Sequence, residues 1–467
     1  MAPAIPGFAV PLGVALFLML GLGPNFDLSL LACVVLVAGL IFLWRPGEAP
    51  ILVFVFLYQW GQASAALFYA NMQDLRIDRL FPNSGEHELG AVMALLGLLT
   101  VAIGIRIGAG LPRPEAVRRA RETIGAASQI TWVKIFVVAW IATAGWRLLA
   151  TAVPGLSQLF LGLASLKWAA FVLLTYATFT RPDGRKAIWF AIFAFEFAIS
   201  IGGYFSSFKD VFLYTIIGLG VSQVRLTLKR VTLVVLFTAV LLWFAVIWTA
   251  VKTDYRAFVR GDETAQVITV DRGTALAKLY DLVMAVDSAA MSHAADHMMQ
   301  RIMYTEYFGI VLSYVPSVVP HENGALWLDA LTRPITPRFL FPGKAIIDES
   351  LLTNKYTGLG VSGMDAGTQI SLGYVADTYI DFGLFLVLPG LLAVGWALGR
   401  LYRWVMYSSR TIGLVGMALA PPMLMPAAAF EISSAKLVGG LFAQVLAAWL
   451  VSRYLVPRLL PWMIARR

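Results

Sequence analysis

The residues best suited to chemistry lie in R-P-I-T-P-R-F-L-F-P-G-K, from Arg333 to Lys344. Pro334, Pro337 and Pro342 each lack a backbone donor and disfavour helical geometry in the residue before them, so a stiff, extended loop is expected. Such a loop spaces three cations, Arg333, Arg338 and Lys344. A guanidinium presents a planar fork of donors that a phosphate or pyrophosphate accepts from two sides. The competing reading is a proline-braced interfacial loop whose cations meet lipid headgroups or neighbouring carboxylates. Lys209 at the end of one apolar run and Arg256 just after another are placed to join the anion-binding set. About a dozen residues before the loop stand His321 and Glu322, and Asp377 follows it. Each could accept a proton, and a neutral imidazole does so near physiological pH.

Between the cationic loop and Asp377 runs a polar stretch rich in Gly, hydroxyl and amide groups, of the kind that lines a sugar site. Asn354 and Lys355 belong to it. Tyr374, Tyr379, Asp377 and Asp381 stand at the mouth of the next apolar run, where they could orient a carbohydrate. Helix capping and interfacial anchoring are the alternative. Among the other charges, Arg147 and Glu196 lie deep in apolar runs, where they either pair as a brace or line a cavity. Glu431 and Lys436 read as a local pair. His293 and His297, four apart on one helical face, read as a surface pair, and no metal site is expected.

These residues sit in a chain of 467, 59% hydrophobic and 13% charged, with mean hydropathy +0.76. Soluble domains carry roughly 25% charged residues, so an integral membrane protein is expected. The net charge of +9 could point to nucleic acid, but the cations gather in short loops between apolar spans, as lipid topology demands. Twelve spans are expected, at about 7–23, 27–44, 50–70, 89–108, 131–152, 164–180, 186–206, 210–224, 230–250, 379–399, 411–430 and 435–456. The fold class is therefore all-α and polytopic. Residues 1–250 form an N-terminal bundle of about nine spans, 251–378 a long outer loop with amphipathic interfacial helices, and 379–467 the C-terminal spans and tail. Alternate loops carry the Lys and Arg residues, which puts both termini in the cytoplasm and 251–378 outside. All four histidines then face outward. No phosphate-binding loop or dinucleotide fingerprint occurs, and the one cysteine, Cys33, allows no internal disulfide.

With those features in place, the chain resembles the Wzy-type polymerases that join oligosaccharide repeat units outside the inner membrane. P-R-F-L-F-P-G-K at 337–344 is similar to that family's proline-arginine-apolar-proline-lysine loop. L-G-Y-V-A-D-T-Y-I-D-F-G at 372–383 leads into a span as the family's acidic-x-Tyr…Phe-Gly motif does. A large outer loop in the C-terminal half, with Ser207 and Lys209 upstream, completes the likeness, which is motif-level over about 200–430. Ala345 stands where the family often has a further proline, and Asp377 where Glu is commoner. The resemblance implies a GT-C-like transferase of the bacterial inner membrane. It would move a saccharide chain from undecaprenyl-pyrophosphate to the non-reducing end of a second lipid-linked unit, in O-antigen, exopolysaccharide or capsule synthesis. Arg333, Arg338 and Lys344, with Lys209 and Arg256, would hold pyrophosphate, and His321, Glu322 or Asp377 would act as base. No cofactor is implied; a flippase and a chain-length regulator are the expected protein partners. A ligase delivering to lipid A core or protein, and a transporter of lipid-linked sugars, are the alternatives.

Overall fold

The computed structural model describes residues 6–113, 115, 117, 118, 121, 122, 127–201, 208–222, 228–261, 269–336, 340, 341, 343, 344, 347–363, 369–407 and 412–458. Among them there is no strand. The helices are α1 (Ala9–Leu16), α2 (Phe26–Leu43), α3 (Ile51–Met72), α4 (His87–Ala109), α5 (Gln129–Ala152), α6 (Ser157–Ser165), α7 (Lys167–Thr180), α8 (Lys186–Ser200) and α9 (Phe208–Val221). There follow α10 (Leu228–Arg260), α11 (Arg272–Met284), α12 (Ser288–Ile302), α13 (Thr305–Tyr314), α14 (Ala325–Thr332), α15 (Glu349–Thr357), α16 (Tyr374–Tyr407), α17 (Ile412–Leu424) and α18 (Ser434–Leu450).

Eight helical stretches among the described residues are long and apolar enough to cross a membrane: 26–43, 51–72, 87–109, 129–152, 157–180, 235–260, 374–407 and 434–458. They match eight of the twelve expected spans. The other four, at 7–23, 186–206, 210–224 and 411–430, correspond to shorter described helices. At 1.5 Å per residue, the 15, 14 and 13 residues of α8, α9 and α17 cover about 20–23 Å of a hydrocarbon layer about 30 Å thick. The helix expected to stop near 250 continues to Arg260, and the described residues of the segment after it form five short α-helices, α11 to α15.

Glycine sets the closest packing in the bundle. A Cβ on Gly104 would stand 2.4 Å from the Leu392 carbonyl oxygen, and one on Gly108 2.2 Å from that of Trp396. Across the interface, Gly395 and Gly399 meet the Val101 and Ile105 carbonyls at 2.2 and 2.3 Å in the same sense. Both helices thus carry glycines four apart, and their backbones touch. Where lipid tails are as apolar as the side chains, such close van der Waals contact is what holds helices together. At the end of α4 the guanidinium of Arg45 is buried, with Nε 2.6 Å from Glu48 Oε2 and Nη1 donating to the Gly110 carbonyl at 2.7 Å. Tyr402 and Tyr407 of α16 donate to the same carboxylate. The loop after α2 is thereby locked to the ends of α4 and α16.

Candidate functional site

α16 is two helical arms joined at Gly383, whose backbone (φ 67°, ψ −176°) is open to glycine and strained for any other residue. The arms double back on each other. Thr378 packs on Gly390, and Gly97, in the middle of α4, faces Leu391 and Val375 at once. The expected span at 379–399 is therefore corrected: a buried arm, Tyr374–Phe382, leads into the long apolar one. Beyond the turn Phe385 is 93% exposed, as suits a side chain facing lipid.

The buried arm accounts for most of the side chains expected to bind sugar. Tyr374 donates its amide to the Ile432 carbonyl at 2.7 Å and its hydroxyl to Gln59 Oε1 at 2.8 Å. Tyr379 donates its hydroxyl to the Val315 carbonyl at 2.7 Å. Asp381 accepts the amides of Leu326 and Trp327, at 3.1 and 2.8 Å, and so caps α14. Asp377, a candidate base, is buried and accepts both the amide and the hydroxyl of Ser434 at 2.8 Å, at the start of α18. Asn354 uses its amide group to close the loop after α15 on Val361. The roles observed for these residues are architectural, the alternative weighed for Tyr379, Asp377 and Asp381.

His321 stands apart from them. Its Nδ1 lies 3.1 Å from the Ile380 carbonyl oxygen, which also accepts the Glu322 amide at 3.0 Å. A carbonyl only accepts, so Nδ1 carries the proton, and in the neutral ring Nε2 keeps its lone pair. Nε2 faces Gly383, where a Cβ would lie 3.1 Å away, and it has no hydrogen-bond partner among the described residues. The ring is half-buried and edge-on to Tyr379 at 5.5 Å. Glu322 is held instead by Lys355 Nζ at 2.6 Å and the Tyr356 hydroxyl at 2.8 Å. The Lys355 hydrogen bond keeps Glu322 below the usual carboxylate range and raises Lys355 in turn, while burial pushes Tyr356 up to about 12. Both bonds to Glu322 end on its Oε1 and both to Asp377 on its Oδ2, whereas His321 Nε2 accepts no bond at all among the described residues.

The cations divide among three places. Lys344 Nζ donates to the Arg333 and Thr336 carbonyls at 2.5 and 2.8 Å, drawing the two ends of the cationic loop together. Arg333 Nε lies 2.5 Å from Asp329 Oδ2, one helical turn back. Arg338, with Pro337, Phe339 and Pro342, lies outside the described residues. Lys209 is exposed on α9 beside the half-buried Asp210, and Arg256 neighbours Lys252 on α10.

Two pairings differ from the sequence reading. Lys436 pairs with Glu349 at 3.0 Å, and Glu431 accepts from Gln62 at 2.6 Å, so Glu431 and Lys436 are not partners. Glu196 pairs with Lys167 at 2.7 Å, both buried, rather than with Arg147, whose side chain is exposed. Lys167 was legible only as a lone cation opening the apolar run of α7. His293 and His297 are both exposed on α12. Among the described residues, no three His, Cys, Asp or Glu side chains stand close enough to hold a metal ion.

The family described as a domain of unknown function, DUF8712, matches residues 95–405, two thirds of the chain. The chain belongs to that family. Neither the curated proteins nor the solved structures return a match. The DUF8712 segment starts within α4 and ends within α16, the pair packed through glycine. It contains the Gly383 turn, His321 and the cationic loop.

Proposed function

We propose that this protein is a membrane glycosyltransferase that transfers a saccharide chain from undecaprenyl-pyrophosphate to the non-reducing end of another lipid-linked repeat unit. In this reading it lies in a bacterial inner membrane with both termini cytoplasmic, and the His321 turn and the cationic loop face outward. The observation that carries the proposal is the pairing of a base with cations at the two ends of α14. His321 stands before that helix with Nε2 free to accept. Arg333 and Lys344 follow it on one closed loop.

The chemistry suits these groups. The acceptor hydroxyl gives its proton to Nε2 as its oxygen bonds to the anomeric carbon of the donor. The bond from that carbon to the pyrophosphate oxygen breaks, and negative charge grows on the leaving group. Cations fixed beforehand near that oxygen stabilise the transition state by about 2–4 kcal/mol each. The carbonyls that hold Lys344 and the carboxylate that holds Arg333 supply the fixing. Neutral carbonyls leave the charge of Lys344 intact.

The test uses the purified chain in detergent with a lipid-pyrophosphate-linked repeat unit, and resolves products on a gel. A ladder spaced by one repeat unit is expected, absent in His321→Ala and weakened in Lys344→Met. A full ladder from His321→Ala refutes the base. Transfer to added lipid A core, with no ladder, replaces polymerase by ligase. Movement of the lipid between leaflets with no product refutes the transferase reading.

A further inference from the structure

Three neighbouring helices carry phenylalanine at helical spacing: Phe193 and Phe197 on α8, Phe208 and Phe212 on α9, and Phe237 and Phe244 on α10. Residues so spaced share one face of a helix. The rings meet in two layers. Phe193 lies 5.4 Å from Phe212 and 5.8 Å from Phe237, centroid to centroid, and Phe212 lies 4.5 Å from Phe237. In the second layer Phe197 is 6.3 Å from Phe208 and 5.1 Å from Phe244, with Phe208 and Phe244 6.3 Å apart.

The rings do not fill the space between the helices. A crevice of about 340 Å³ remains, lined by all of them but Phe208, together with Leu236 and Val240 of α10. Phe212 is buried at its floor, and Leu236 and Val240 are exposed at its rim. The crevice therefore opens sideways onto α10, whose apolar window is only 11% buried in the protein.

No polar side chain among the described residues lines this space. Such a cavity offers water no hydrogen bond and stays dry. Left empty, its walls lose the dispersion contacts of close packing. A hydrocarbon chain restores those contacts and needs no hydrogen bond. The volume lies at the lower end of ligand pockets, which run from about 300 to 1,000 Å³, so it suits one chain. A glycerophospholipid has two, and one of them would stay outside. A polyprenyl lipid has a single chain, whose C–H groups meet the electron-rich ring faces. At the Phe197–Phe208–Phe244 end, Lys209 follows Phe208 and is exposed. A phosphate leaving the crevice there meets a cation.

We infer that the crevice between α8, α9 and α10 takes the hydrocarbon chain of a polyprenyl phosphate lipid, with its head at the Lys209 end. The choice of lipid rests in part on the transferase reading, which calls for a polyprenyl-linked substrate.

The test places the full chain in phosphatidylglycerol nanodiscs and titrates it with polyprenyl phosphate carrying a photoreactive group on its chain. Labelled residues are mapped by mass spectrometry. Labelling should saturate and fall on the crevice residues, despite the excess of phosphatidylglycerol. Leu236→Trp and Val240→Trp put an indole at the mouth and should each weaken binding roughly tenfold or more. Their unliganded Tm should match wild type, because both positions are exposed. Leu242→Trp, exposed on α10 and about 200° round the helix from Val240, should bind as wild type does. Labelling that does not saturate, labelling elsewhere, or full affinity in both rim variants overturns the proposal. A photoreactive phosphatidylglycerol that labels the same residues with equal affinity also overturns it, since the occupant is then ordinary bilayer lipid. The product ladder separates this site from the reaction. Chain binding with no ladder keeps the crevice and removes the transferase, whereas a full ladder from both rim variants keeps the transferase and removes the crevice from it.

Discussion

Replacing Gly383 by alanine tests the turn that organises the candidate site. Its φ of 67° with ψ −176° lies in a region essentially reserved for glycine, where another residue costs about 1–3 kcal/mol. The added methyl would also meet His321 Nε2 at 3.1 Å, so the imidazole must shift. Gly439 in α18 is the internal control. A Cβ there meets nothing within 4 Å, and its φ is not positive. Gly439→Ala should therefore stabilise by about 0.5–1 kcal/mol through helix propensity alone. The same chemical change thus has opposite signs at the two positions, and the variants should differ by about 1.5–4 kcal/mol. Unfolding of both purified variants in one detergent, followed by tryptophan fluorescence, measures the difference. If Gly383→Ala is as stable as Gly439→Ala, the two arms do not double back on a glycine-only turn, and the placement of His321 falls with it.

Two further outcomes follow from the ion pairs. Lys167 and Glu196 are 6% and 0% exposed at their side chains, so Lys167→Met leaves a buried carboxylate without its partner and should cost about 3–5 kcal/mol. Lys167→Met with Glu196→Leu should recover most of that loss, and a double variant no more stable than the single one refutes the pairing. The Glu322–Lys355 pair is 25% and 49% exposed, so screening limits it to about 0.2–1 kcal/mol. Glu322 is depressed by its partner, so its contribution is present above the ordinary carboxylate pKa and is lost as pH falls through its folded value. Lys355 is raised, so its contribution is present below the ordinary lysine pKa and is lost as pH rises through its folded value. Comparing Lys355→Gln with wild type across pH should give a stability difference that is constant at neutral pH and shrinks at both extremes. A difference that survives at acid pH contradicts the assignment.

Helical class, the eight long apolar helices and the breaks between them follow from the sequence alone, because hydropathy over about 20 residues and the missing donor of proline act locally. The extended loop expected from Arg333 is corrected at its start, where Arg333–Ile335 makes a 3-10 turn, and α14 just before it was not read from the sequence. Nor was the partner of each charge. Lys167 reaches Glu196 across 29 residues, Lys436 passes over the nearby Glu431 to reach Glu349, and Glu431 turns to Gln62, 369 residues away. Helical period names the face a side chain occupies, and only packing decides which other face it meets. For that reason Asp377 and Asp381, carboxylates placed as sugar or base ligands by spacing, serve as caps for α18 and α14. Gly383 shows the same division. Its identity is written in the chain, but the hairpin that requires it exists only when Val375 and Leu391 close together on Gly97 of α4.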